Sequence, residues 1–505
     1  MVLPLVAACG GATTPSETPT ETGSADGTAN AVTGSSGDAT EASSNTEAQS
    51  EERVYNFNIL DTLPSAKYGN QEFTVKVMNN YMADFSVEKY TGDLLNDARY
   101  NWLRTVENQY NVQINYENYY SDNFYQPILQ DILDGVNSIN IYVAISNHVY
   151  QPIIAGCYRD WNTLDPSWID LSAKRWAVSL NESVSFNGKL FAATGDLGTS
   201  KLQYTQAVFY NVPLLTSFGV DPDDFYNMVD NYEWTFEALK GIVKDIYFDA
   251  DNSETKSAGD TYGYYSNDGN AYFFWQTAFD VKLITINEDH SLTPDLYTEK
   301  NLSILDKLID FYSNYDGVYS GYMTKDSDRN KFSAGEAAMV TVPLKDCYSH
   351  FRFMDTDFGI LPQPMYDSDQ HKYLTYMNDQ YAAFGIPITL PESELNFTAH
   401  IADALCAESS ESLYYQFYEI ALKGRYSRDE NTARMVDILM SNVVIDPTMQ
   451  FGAMLGTGNT SVTRWGYPYI LGNMVMQYDS NLASANEAVY GTVENSLNEI
   501  LKAYQ

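Results

Sequence analysis

Apart from the carboxylates, the side chains able to carry covalent or acid–base chemistry are few or poorly spaced. Five histidines are scattered over 505 residues. No His-Glu-x-x-His, Gly-x-Ser-x-Gly or Walker-type phosphate loop occurs in the sequence. Cys347 and His350 have half of a zinc spacing and no second half. Asp249-x-Asp251-x-Ser253 begins like a calcium loop, but Glu254 stands where the sharp turn needs glycine, with Asp260 at the end. No metal and no cofactor is expected. The 67 acidic residues could supply a glycosidase pair, which keeps a cell-surface carbohydrate-active enzyme as one alternative and a surface adhesin as another. Rings are abundant instead, with 41 tyrosines and seven tryptophans. Such flat amphipathic side chains fill cores, and they also build clefts that grip sugar C–H faces.

These groups need elements to hold them. Phe73-Thr-Val-Lys-Val-Met78 alternates like a half-buried strand and breaks at Asn79-Asn80. Asp93–Gln109 carries Leu94, Leu95, Trp102, Leu103 and Val106 at helical spacing. Val112–Tyr116 and Ile139–Ile145 read as further strands. A β-α-β-α-β order predicts an α/β lobe. Ligands of open α/β sheets bind beyond the carboxyl ends of the strands. That rule makes Asn79, Asn80, Tyr81, Asn147 and His148 candidates on one rim, although each is also an ordinary turn or cap residue. Further helices are predicted over Leu302–Tyr312, Phe397–Ala407, Ser412–Leu422 and Ala433–Ser441. Internal repeats are not apparent, and no apolar run after the N-terminus is long enough to span a bilayer.

The length calls for two or more domains, and an apolar share of 44% is enough to build them. The net charge of −38 repels phosphate backbones and anionic headgroups, which excludes nucleic-acid binding and charge-driven membrane binding. It suits an exported, soluble body.

The opening Val6-Ala-Ala-Cys9 resembles the lipobox of bacterial lipoproteins, without a basic region before it. The resemblance implies diacylation of Cys9 and loss of the preceding peptide, with 1–9 as the signal remnant. Cys157, Cys347 and Cys406 are then expected as free or buried thiols, since three cannot all pair within one chain; a single disulfide is compatible with the sequence. Residues 10–53 form a linker. Up to residue 52 it holds eight acidic residues, from Glu17 to Glu52, and no basic or aromatic one. Such a segment cannot bury enough apolar area to offset its ordering entropy. As a disordered leash it would reach roughly 35–40 Å on average.

Several segments in order resemble the family 1 extracellular solute-binding proteins, which include the maltose-type sugar receptors of bacterial ABC importers. They are Phe186-Asn-Gly-Lys-Leu-Phe191, Gln206–Asn211, Phe218-Gly219, Trp234–Leu239, Asp260–Gly263, Phe332-Ser-Ala-Gly-Glu-Ala-Ala-Met339, Phe358–Pro364, and Gly424–Asp429 followed by Met435–Leu439. The resemblance implies a two-lobed, type II periplasmic-binding-protein-like α/β fold with a ligand cleft between the lobes. Residues 54–188 with about 340–400 would form the N-terminal lobe, and 189–339 with about 401–505 the C-terminal lobe. It also implies site residues. Tyr272 and Trp275 fall in an aromatic cluster opening a second-lobe helix, Trp465 falls at the C-terminal return, and Asp196, Asn378 and Asp379 lie near the crossing segments. One departure is that Val342–Lys345 lacks the tryptophan that maltose-type proteins carry there. The implied protein is a monomeric, non-enzymatic lipoprotein on the extracytoplasmic face of the cell membrane. It would capture a mono- or oligosaccharide and deliver it to the importer's permease subunits.

Overall fold

The computed structural model describes residues 53–505 apart from 121–124, 251, 267–269, 321–326, 427–429, 453–454 and 456–465. The lipobox and the expected linker up to residue 52 lie outside the described residues. Arg53 is already fastened to the body, its guanidinium donating to the Ser410 carbonyl at 2.8 Å and to Ser410 Oγ at 2.7 Å.

Alternation along Gln71–Met78 becomes a strand whose Phe73, Val75 and Val77 are fully buried. It pairs in parallel with Val112–Tyr119 on one side and with Ile141–Ile145 on the other. Ala382–Gly385 runs antiparallel to Ile141–Ile145 and completes a four-stranded sheet. The helix Leu94–Tyr110 starts where Asp93 accepts from the Leu95 and Asn96 amides, an N-cap that satisfies two otherwise orphaned donors. Its Trp102 is fully buried and donates from Nε1 to the Leu405 carbonyl at 2.8 Å, joining it to the helix Leu395–Glu408.

The second sheet has the order Phe358–Leu361, Gln206–Asn211, Ala337–Pro343, Thr261–Ser266, Tyr247–Phe248, with Val318–Ser320 also on Thr261–Ser266. Its strands separate two cores by their period of two. Val208, Tyr210 and Met339 join the main core, while Phe209, Val340 and Ile360 pack with Phe332, Phe351 and Phe417 on the other face.

Two segments cross between the sheets. Thr205 and Met377 form an antiparallel bridge, and Asn378 donates its amide to the Tyr204 carbonyl at 3.1 Å. The resemblance places the return near Met339, but Ala337–Pro343 is held in the second sheet by ladders on both sides, and Phe358–Leu361 pairs there too. The strand that returns to the first sheet is Ala382–Gly385. Among the described residues, no helix is long and apolar enough to cross a membrane.

Candidate functional site

Strand direction fixes which residues meet. Gln71–Met78 and Ile141–Ile145 are parallel, and Ala382–Gly385 runs opposite. The carboxyl ends of the first two therefore share a rim with the amino end of the third, which is also where the chain crosses between sheets. On that rim Ser146 Oγ donates to the Asp379 carbonyl at 2.6 Å, and Asn147 Nδ2 donates to Asp379 Oδ2 at 2.9 Å. The Tyr469 hydroxyl donates to the same carboxylate oxygen at 2.7 Å.

Tyr469 is held by a helix that packs on the second sheet through Trp275 and Tyr264. Its ring lies 4.4 Å from that of Phe273 on the helix Asn270–Ala278. Gln276 on that helix donates from Nε2 to the Pro468 carbonyl at 2.8 Å, and the Tyr467 hydroxyl donates to the Leu283 carbonyl at 2.7 Å. The turn before it needs a glycine. Gly466 has φ 106°, and a Cβ there would sit 2.5 Å from the Gly452 carbonyl oxygen.

A second chain of contacts runs beside the first. Tyr150 donates to Gln450 Oε1, and Gln450 Nε2 donates to the Tyr381 hydroxyl. Gln450 ends the short helix Pro447–Gln450, which Asp446 caps by accepting the Thr448 amide at 2.7 Å. Asp379, Tyr381, Tyr376, Asp446 and Gln450 thus line one narrow cleft, closed until it leaves no room for a water molecule. It adjoins a wider cavity of about 260 Å³ that shares Thr277, Asp446 and Met449 and reaches Ser183, Gln276 and Lys282. Burial raises the carboxyl pKa of both Asp379 and Asp446, partly countered at Asp379 by its Tyr469 and Asn147 donors. This arrangement can accept hydrogen bonds from a polar solute held between two lobes.

No protein-family model matches the chain, and no curated protein matches it in sequence. Solved structures do match. M. tuberculosis UspC aligns with a TM-score of 0.55 at 15% identity, covering 84% of this chain and 100% of that one. The cyclic α-maltosyl-1,6-maltose binding protein of Arthrobacter globiformis aligns at 0.53 and 16%, covering 85% and 99%. UgpB from M. tuberculosis, in complex with glycerophosphocholine, aligns at 0.50 and 12%, covering 86% and 98%. The chain has the two-domain, periplasmic-binding-protein-like α/β fold.

Within that fold the candidate residues separate. Asn147 and Asp379 meet directly, and Tyr81 donates to the neighbouring Gln380 carbonyl while its ring meets Tyr204 edge-on at 6.5 Å. Asn378 Oδ1 accepts the Gln380 amide at 2.9 Å and shapes the turn that presents Asp379. Asn79 and Asn80 are exposed on a short turn, and His148 is buried, which pushes its pKa down to about 4. Asp196 stands apart from this cluster. Its buried carboxylate pairs with the partly buried Lys201 Nζ at 2.5 Å. Trp275 stands apart too. It is fully buried, with Phe279 and Phe236 ring centroids at 5.1 and 5.3 Å, and its Nε1 donates to the Tyr312 hydroxyl at 2.9 Å. Tyr272 is buried too, its hydroxyl bonded to Ser320 Oγ, so neither ring offers a free face. Trp465 and Cys9 lie outside the described residues.

The remaining chemistry-bearing groups have structural partners. Asp260 accepts the Ser257 amide at 2.8 Å, Asp249 accepts the Glu254 amide at 2.9 Å, and Asp251 lies outside the described residues. Among the described residues, no group of three or more His, Cys, Asp or Glu is placed to hold a metal. His350 Nδ1 is 2.8 Å from Asp346, and Cys157, Cys347 and Cys406 are free and buried. Sequence reasoning missed Tyr376, Tyr381, Asp446, Gln450 and Tyr469. The run Tyr376-Met-Asn-Asp-Gln-Tyr381 was the available signal, because its polar and aromatic residues sit together around Asp379.

Proposed function

We propose that this chain is the solute-binding protein of an ABC importer and that its ligand is a carbohydrate. The observation that carries the reading is the Asp379 carboxylate, held by Asn147 of one lobe and Tyr469 of the other where the chain crosses between them. A carboxylate so placed accepts hydroxyl donors from a solute and ties lobe closure to its presence. The fold supports the reading, since an Arthrobacter globiformis protein that shares it is named for binding cyclic α-maltosyl-1,6-maltose. In this proposal the protein is not an enzyme, Cys9 carries the lipid anchor outside the cell membrane, and the permease subunits receive the sugar. A thermal-shift and calorimetry panel of mono- and oligosaccharides tests it. Saturable one-to-one binding without product is the expected result, because a ligand that binds only the native state raises apparent stability. Release of smaller sugars would replace the reading with hydrolysis, and a panel without any binder would remove the carbohydrate.

A further inference from the structure

Four of the hydrogen-bonding groups left over at the lobe junction can only accept. Asp379 takes both its donors on Oδ2, and Asp446 takes the Thr448 amide and hydroxyl on Oδ1. Among the described residues, the second oxygen of each carboxylate has no hydrogen-bond donor from the protein. Asn147 Oδ1 and Gln276 Oε1 are buried with no hydrogen-bond partner, and Gln276 is only 4% exposed. Neither amide can be turned over, because each nitrogen already donates, one to Asp379 and the other to the Pro468 carbonyl. The hydroxyls of Tyr376, Tyr381 and Thr277 in the same lining can give as well as take.

The charges agree with the hydrogen bonds. Asp379, Asp446 and Asp280 line the two adjoining cavities. Among the described lining residues the one cation is Lys282, which pairs with Asp280 at 2.7 Å. Neither Asp379 nor Asp446 has an ion-pair partner of its own, and Lys282 attracts Asp446 only from a distance, in a partly buried place where an unpaired charge is costly. A phosphate or uronate would add repulsion and find acceptors in place of donors. A neutral polyol would satisfy the acceptors and leave the charge. A protonated amine does both, and the Tyr376 and Tyr381 rings of the same cleft attract cations by their faces. The net charge of −38 concentrates cations around the whole molecule.

We propose that the cleft selects a polyol bearing a protonated amine, of the amino-sugar class, with the ammonium group in the cavity that Asp379 and Asp446 line. The inference rests on the solute-binding reading above and narrows its ligand.

Calorimetric titration of the intact chain tests it with three matched β-1,4-linked series of short oligomers, built from glucosamine, from N-acetylglucosamine and from glucose. The glucosamine series should bind about tenfold tighter than either neutral series, a difference of about 1.4 kcal/mol. Asp446→Asn should shrink that gap to about threefold or less. Asp379→Asn serves in its place should the first variant melt early. Equal or tighter binding of a neutral series, or tighter binding of glucuronate or glucose 6-phosphate, would overturn the proposal. So would a preference for the amine that survives both substitutions. A panel in which only neutral sugars bind leaves the importer reading standing and removes the amine; one in which nothing binds removes both.

Discussion

Trp275 shows how one side chain's surroundings decide its role. Its indole is enclosed by Phe236, Phe279 and Tyr264 and bonded to Tyr312, so truncation empties a packed site. Trp275→Ala should cost about 3–5 kcal/mol of stability in urea titration and leave the affinity of the folded fraction unchanged. A variant as stable as the parent that fails to bind would return the ring to the cleft. His148 gives a prediction in pH. Burial holds its pKa at about 4 against an ordinary value near 6.5. The unfolded chain therefore takes up this proton first as the medium acidifies. Stability from this group is complete above about pH 6.5, falls on the way to about pH 4 and then levels off, by on the order of 3 kcal/mol in all. His148→Gln should flatten that part of the stability profile, measured by denaturant unfolding across the window. The pKa of His400 is lowered as well, so some slope remains. At this scale the sequence was only partly legible. Asp446 caps the short helix Pro447–Gln450 by accepting the Thr448 amide, a local role. That its carboxylate also faces the cavity of Asp379 depends on contacts between distant parts of the chain, which no local pattern encodes.

Elements were more legible because their signals are local. Phe73–Met78 alternates, and the strand follows the alternation. Asp93 announces its helix with a capping side chain, and Thr235 does the same for Phe236–Val243 by accepting the Ala238 amide. The C-terminal helix Leu482–Ala503 went unread although its signal was present, with Leu482, Val489, Val493, Leu497 and Ile500 buried at helical spacing. Pairing, not propensity, keeps Ala337–Pro343 in the second sheet, which no local pattern announces. Two substitutions test how elements hold the site. Asp403 on Leu395–Glu408 accepts Arg175 through both oxygens, at 2.7 Å each, and Trp176 Nε1 at 2.6 Å. Asp403→Ala would leave a largely buried guanidinium unpaired, so chemical denaturation should show a loss of about 3–5 kcal/mol. Gly466→Ala should misplace Tyr469, since the new methyl meets the Gly452 carbonyl. Its expected signature is weaker ligand binding together with about 1–3 kcal/mol of lost stability. Unchanged binding would show that the turn does not aim Tyr469.

The whole molecule joins two sheets through paired crossing segments, with the polar cluster where they meet. Because part of the cleft leaves no room for water, a solute can enter only if the lobes separate. Small-angle scattering should therefore give the free protein a larger radius of gyration than the sugar-bound protein, as hinge closure requires. Identical profiles at saturation would contradict closure. The central claim is the location of the ligand between the lobes. Hydrogen–deuterium exchange with the sugar that raises the melting temperature most tests it directly. Protection is expected in residues 375–382, 443–450 and 467–473, which carry Asp379, Asp446 and Tyr469. Protection confined to the separate surface pocket of about 390 Å³ around Phe57, Asp97 and Glu408 would contradict it.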